Sequence, residues 1–257
     1  MQKRSFQVNK KSWSVIVHFE NISLQNVKIQ NCRYDFPAPE VADANGLLAV
    51  GADLQPDTML YAYTHGIFPW YSKDPILWFS PPERFVLPVS EVHIGRTIRK
   101  EIRKLPFQVK IDRQFERCVE ICAQTHRKTW ITQDMKSGYH ALHQLGFAHS
   151  IEIMDGSNMV GGAFGVAVGK MFFGESMFHI RENASKLAFT SLARVLQTLQ
   201  FELIDSQVET QNLRRFGARN IPREKYLQDL ALHVDQPSWV GNWQELEKFL
   251  LADDPSK

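Results

Sequence analysis

The residues best placed for chemistry begin in LIDSQVET, residues 203–210. Asp205 and Gln207 follow Phe201 and Leu203 at period two, so a strand here carries a carboxylate and an amide along its apolar row, with Ile204, Ser206 and Val208 on the other face. Polar groups on a core-facing row need partners or an opening. The strand end is therefore expected either to satisfy both internally or to open on a cleft. Glu175 poses the same question in KMFFGESMF, an otherwise apolar strand in which Gly174 precedes it. Glycine inside a strand marks a bulge or the close approach of a ligand, which leaves the facing of Phe172 and Phe173 open.

Arg96, Arg99, Lys100, Arg103 and Lys104 recur in HIGRTIRKEIRK at the spacing of one helical face, with Ile94, Ile98, Ile102 and Leu105 roughly opposite. The plain reading is a solvated amphipathic helix. The sharper one is contact with a nucleic-acid backbone, because five cations with only Glu101 nearby repel one another until a polyphosphate relieves them. A third group is aromatic. GIFPWYS and PILWFSPPER gather Trp70, Tyr71, Trp78 and Phe79 in a stretch whose prolines argue against a regular element, and Trp130 stands in TWIT. Core packing, base stacking and an apolar pocket all remain open for these rings.

Other chemistry is excluded. Cys118, Cys122 and His126 share a helical face but lack the paired spacings and fourth ligand of a structural zinc site, so the two cysteines read as buried thiols. His140, His143 and His149 form no metal motif, and the glycines at 161, 162, 165 and 169 form neither GxGxxG nor a P-loop. No metal and no nucleotide cofactor is implied. Nothing recommends a covalent nucleophile.

The elements that must position these groups suggest an α/β (α+β) chain. Residues 1–82 read as an N-terminal extension of uncertain order, to about residue 35, and a small aromatic-rich module with one helix after Pro56; residues 83–257 read as the catalytic unit. In the latter, strand 85–88, helix 93–104, strand 107–111 and helices 115–125 and 133–145 precede a meander. Its hairpin turns at Asp155-Gly156-Ser157-Asn158, and helix 183–200 leads into strand 201–209. The 257 residues, 44% of them hydrophobic, suffice for a full core. Three cysteines and the lack of a secretory or membrane-spanning apolar run point to the cytoplasm.

With these residues in view, the chain resembles the leucyl/phenylalanyl-tRNA-protein transferases. GLLAVGADL, GIFPWYS, ILWFSPPER, TWIT, LHQLGFAHSIEI, VGGAFGV, FFGESMF, NASK, LIDSQV and FGARNIPREKYL stand in the family's order, from about Phe36 to Leu227. Departures are alanine at 52, Ser206 in place of a common cysteine, Asn212 in place of a histidine, and His179 in place of a serine. The segment before Arg33 lacks a counterpart in short members of the family, which raises the expectation of a later start near Leu24 or Val27.

The resemblance implies a C-terminal N-acetyltransferase-like (GNAT) domain with a mixed, mostly antiparallel sheet. It implies transfer of Leu, Phe or Met from aminoacyl-tRNA to proteins with N-terminal Arg or Lys, as a monomer, ahead of their degradation. It places Trp70, Phe172, Met177, Phe189 and Leu196 around the donor side chain, Trp130 near the terminal adenosine, the basic helix on tRNA, and Glu175, Asp205 and Gln207 around the reacting amines. Two other readings compete. An acyl-CoA-dependent N-acetyltransferase shares the fold but needs a glycine-rich pyrophosphate turn where HIRENASKL stands, and a non-catalytic RNA-binding protein needs only the basic helix.

Overall fold

The computed structural model describes residues 21–26, 32–125 and 129–251. In chain order the strands and helices are β1 (Ile22–Gln25), β2 (Leu47–Val50), α1 (Pro56–Thr64), β3 (Phe68–Pro69), β4 (Leu77–Phe79), β5 (Glu83–Pro88), α2 (Arg96–Ile102), β6 (Gln108–Ile111), α3 (Phe115–Thr125) and α4 (Gln133–Gln144). They continue with β7 (Ala148–Asp155), β8 (Asn158–Val168), β9 (Met171–His179), α5 (Ala184–Thr198), β10 (Leu203–Asp205), α6 (Gln211–Arg214), β11 (Arg219–Pro222), α7 (Arg223–His233), β12 (Ser238–Gly241) and α8 (Glu247–Leu251).

A seven-stranded sheet in the order β11-β5-β10-β9-β8-β7-β6 organises the chain, antiparallel except where β10 runs parallel to β9. Alternate residues feed two cores. Met171, Phe173, Leu203 and Val86 point into one cluster, shared with α1, α3 and α4, while Phe172, Ile204, Phe85 and Leu87 point into the other, shared with α5. A sheet covered on both faces explains why β8 reads as a nearly unbroken apolar run and why β7, although it carries His149, Ser150 and Glu152, is buried along almost its whole length. Their hairpin turns as the composition predicts: Asp155 pairs with Asn158, and Gly156 at φ +60° supplies the positive torsion that a two-residue loop requires.

The aromatic stretch is more regular than its prolines suggest. β2, β4 and β3 form a three-stranded sheet, and Trp78 is fully buried in it, with its indole N–H donating to the Gly51 carbonyl at 2.8 Å. Short strands tolerate prolines at their ends, as at Pro69 in β3. The single expected helix is α1, begun by Pro56 at its first turn. Its residues Met59 and Tyr63 belong to the same cluster as Met135 and Tyr139 of α4. A Cβ on Gly138 of α4 would meet the Leu54 carbonyl and Met59 Sδ at 2.8 Å, so the two helices approach at a distance only glycine permits.

Three boundaries differ from expectation. Residues 22–25, read as part of an extension of uncertain order, form β1 and pair with β12; the calls on residues 1–20 and on Val27 lie outside the described residues. The basic helix is seven residues long, because it starts after Gly95 and Pro106 stops it. Strand 201–209 contracts to Leu203–Asp205: Gln200 turns at φ +58°, Phe201 caps α5 through its N–H to the Leu196 carbonyl, and Gln207 turns again at φ +55°.

Candidate functional site

β9 and β10 pair from Met171 and Leu203 as far as Phe173 and Asp205, and beyond that point a cavity of about 310 Å³ lies between β9, α5 and the chain that follows β10. Its size is at the small end of the range for ligand sites, about 300–1,000 Å³. One wall is apolar: Phe172 and Met177 from β9, Ala163 from β8, and Phe189 and Leu192 from α5. Trp70 and Trp130 also line it. Trp70 is 44% exposed with its ring edge-on to Phe79 at 5.7 Å, whereas Tyr71 and Trp78 are core. Leu196 is fully buried against α5's own core and does not line the cavity.

The opposite side is polar. Glu175, Ser176, Ser206, Gln207, Thr210 and Asn212 line it. Glu175 is an extra residue in β9, since Phe164 pairs with Ser176 and the next pair is Gly165 with Gly174. The bulge expected from Gly174 is therefore present. Glu175 Oε2 accepts a hydrogen bond from the Tyr139 hydroxyl at 2.5 Å, and that hydroxyl lies 3.4 Å from the Tyr63 hydroxyl. Its Oε1 is shielded from solvent and has no hydrogen-bond partner. Burial pushes the Glu175 carboxyl up to about 7, against the pull of the two tyrosine hydroxyls and Arg84, with the Asp205 charge adding to the rise.

Asp205 has a different environment. It is 0% exposed and does not line the cavity. Arg84, 1% exposed, grips it with two hydrogen bonds, Nε to Oδ1 at 2.8 Å and Nη2 to Oδ2 at 2.7 Å. The Tyr226 hydroxyl donates to Oδ2 at 2.8 Å and the Gln207 backbone N–H to Oδ1 at 2.9 Å. Arg84 also donates to the Gly66 carbonyl and lies 4.6 and 4.5 Å from the ring centres of Phe68 and Tyr226. Burial works against the guanidinium charge, but Asp205, with Tyr226 and Glu175, outweighs it and holds Arg84 well above its ordinary value. All of Asp205's acceptor capacity is thus spent on holding the strand end, and Gln207 is set in its left-handed turn. With its amide nitrogen toward the available acceptors, Gln207 donates to the Gly174 and Ser206 carbonyls at 2.9 and 3.0 Å.

Arg96, Arg99, Lys100, Arg103 and Lys104 are all exposed, while Ile94 and Ile98 pack on the α5 core. Glu101 pairs with Lys186 of α5 at 3.0 Å, which removes the one acid from the ridge. The backbone just before α2 is tied to the segment after α6, through the His93 N–H and the Phe216 carbonyl, and α6 contributes Asn212 and Leu213 to the cavity.

The residues set aside take structural places. Cys118 and Cys122 are buried, and their mutual hydrogen bond and burial push the Cys118 thiol well up; His126 lies outside the described residues. Among the described residues no cluster of three or more His, Cys, Asp or Glu side chains is arranged to hold a metal. His143 is hydrogen-bonded to the Ala148 carbonyl, His140 lies 3.0 Å from Glu116, and His149 is buried between Asp112 and the Trp243 ring. The sequence reading missed Arg84, Tyr63, Tyr139 and Tyr226. For Arg84 a signal existed, since period two places it with Val86 on a core-facing row.

The sequence pattern of leucyl/phenylalanyl-tRNA protein transferases matches residues 86–231, and that of their N-terminal domain matches residues 52–82. The leucyl/phenylalanyl-tRNA–protein transferase of Myxococcus xanthus is 47% identical over 215 residues, 82% of this chain and 92% of the relative. That of Xanthomonas axonopodis pv. citri is 44% identical over 211 residues, 80% of this chain and 85% of the relative. The structure of L-PGS from Bacillus licheniformis aligns over 73% of this chain and 64% of that one at 8% identity, with a TM-score of 0.37, too distant a likeness to argue from. Two adjoining family patterns and relatives of this identity over four-fifths of the sequence place the chain in the leucyl/phenylalanyl-tRNA protein transferase family, as an aminoacyltransferase.

Proposed function

We propose that the protein transfers leucine, phenylalanine or methionine from aminoacyl-tRNA to the N-terminal amine of proteins that begin with Arg or Lys, in the cytoplasm and as a monomer, marking them for degradation. The observation that carries this reading is a cavity with an apolar wall of Phe172, Met177 and Phe189 facing a polar side of Glu175 and Gln207. The apolar wall suits the donor side chain. One methylene there is worth about 1–3 kcal/mol, too little to exclude Met from a site for Leu and Phe, whereas β-branched side chains are refused by shape. Trp130 is assigned to the terminal adenosine. The mixed sheet is read as N-acetyltransferase-like, with residues 1–82 as an N-terminal extension and a small domain, of which Met59, Tyr63 and Trp78 pack into a core shared with α3 and α4.

The donor is already an activated ester, so the amine needs only to be neutral and aligned. With a reference pKa of about 7.7–8.0, roughly a tenth of an α-amine is neutral at pH 7. Gln207 hydrogen-bonds in the alignment and is no base; Asp205 acts through it, by fixing its turn.

Labelled Phe-tRNA with a peptide beginning in Arg tests the reading: a labelled peptide without added cofactor is expected, and stimulation by acetyl-CoA or binding without transfer would replace it with one of the competing readings. Trp70→Ala is expected to lower use of Phe-tRNA by about 1–3 kcal/mol in kcat/KM, the scale of one aromatic contact, and unchanged kinetics would remove Trp70 from the pocket. If α2 and its flank meet phosphates, Arg99→Gln with Lys100→Gln reduces the slope of log affinity against log salt by about 1.4–1.8. An unchanged slope would assign the ridge to solvent.

A further inference from the structure

Tyr63 and Tyr139 have no part in the reading above, yet both are fully buried and both hydroxyls lead to Glu175. Their rings are fixed by packing, Tyr63 against Phe173 at 5.0 Å and Tyr139 edge-on to Phe164 at 5.1 Å. The single hydroxyl proton of Tyr139 is committed to Glu175 Oε2, so the Tyr63 hydroxyl is the donor in the bond between the two tyrosines. The chain of donation runs one way, Tyr63 to Tyr139 to Glu175. It ends at a carboxylate whose second oxygen has no partner, on a residue that lines the cavity.

We propose that Glu175 takes the proton of the incoming N-terminal ammonium, and that Tyr139, backed by Tyr63, is the positioning residue that holds one carboxylate oxygen and leaves the other for this transfer. The inference rests on the aminoacyl-transfer reading and deepens it. In the step, one N–H bond of the ammonium breaks and an O–H bond forms on Glu175. The neutral amine then attacks the ester carbonyl, a C–N bond forms, the C–O bond to the ribose breaks, and a second proton passes from nitrogen to the leaving ribose oxygen. Glu175 returns its proton to solvent. The charged and titratable groups that face Glu175 are Tyr63 of α1, Tyr139 of α4, Arg84 of β5 and Asp205 of β10. The two hydroxyls favour the carboxylate while burial and Asp205 oppose it, which sets Glu175 at about 7, where it can both accept and release a proton near neutrality.

The test is the pH dependence of kcat/KM for transfer from Phe-tRNA, measured with two Arg-initial peptides whose α-amines differ in pKa. That comparison separates the acceptor's own ionisation from the enzyme's. Tyr139→Phe removes a hydrogen bond to the carboxylate, so the enzyme's acid limb is expected to move up by about one pH unit, a tenfold lower rate on that limb. Tyr63→Phe moves it the same way by less, and Glu175→Gln abolishes it and leaves a slow remainder whose pH dependence follows the acceptor amine alone. A melting temperature near wild type in at least one tyrosine variant separates positioning from unfolding. The proposal is overturned if the wild-type limb follows the acceptor amine alone, or if both folded tyrosine variants keep the wild-type limb. Absence of transfer by the wild type at every pH would instead sink the reading on which it rests.

Discussion

Asp205 and Glu175 are two carboxylates on adjacent strands, in register two residues apart, and their surroundings diverge. Asp205 receives four hydrogen bonds, two of them from a buried arginine, while Glu175 receives one, from a tyrosine, and keeps an oxygen without a partner. A buried guanidinium engages the first carboxylate through both oxygens, and that carboxylate organises the backbone of its own strand end. Burial, only partly offset by hydroxyl donors and a guanidinium that makes no hydrogen bond to it, leaves the second near the point where it can gain or lose a proton. Burial by itself therefore does not assign a role to an acidic residue; the donors around it do.

The comparison breaks most easily at the ion pair. Asp205→Ala leaves Arg84 buried without its anion, and a loss of about 3–5 kcal/mol in unfolding free energy is expected from urea titration. A loss within the range of a surface substitution would mean that the clamp is dispensable. Glu175→Gln sharpens the contrast through pH. An acid whose folded-state pKa lies above its unfolded value keeps its proton in the folded protein while the unfolded chain releases it. Wild-type stability should then fall as pH rises from about 4.5 to about 7, by on the order of 3 kcal/mol, and be level above that. The glutamine variant should lack this slope, and an identical slope would place the titration elsewhere. Tyr226→Phe is the smallest of the three changes. It removes one of four donors to Asp205 while Arg84 still neutralises the charge, so a loss of about 1–2 kcal/mol is expected, and a loss as large as that of Asp205→Ala would make the tyrosine, not the arginine, the principal support.

Glu175 was legible because its neighbours are apolar and Gly174 precedes it, which is local information. Asp205 was legible as a polar residue in an apolar row, but its partner Arg84 stands 121 residues away, and no local pattern pairs them. Gln207 reached the cavity by a left-handed turn and not by strand alternation, since Asp205 captures its N–H. The same limit hid β1, whose register with β12 depends on residues more than two hundred positions later. The meander and its turn depend on short-range composition and periodicity and appear where expected, and the five cations are exposed as expected although their helix ends at Ile102. Leu196, by contrast, sits on a cavity-forming helix but turns into its core.

The cavity draws its lining from as far apart as Phe68 and Leu213. The lining is therefore complete only once every residue from 68 to 213 has been made and folded into place.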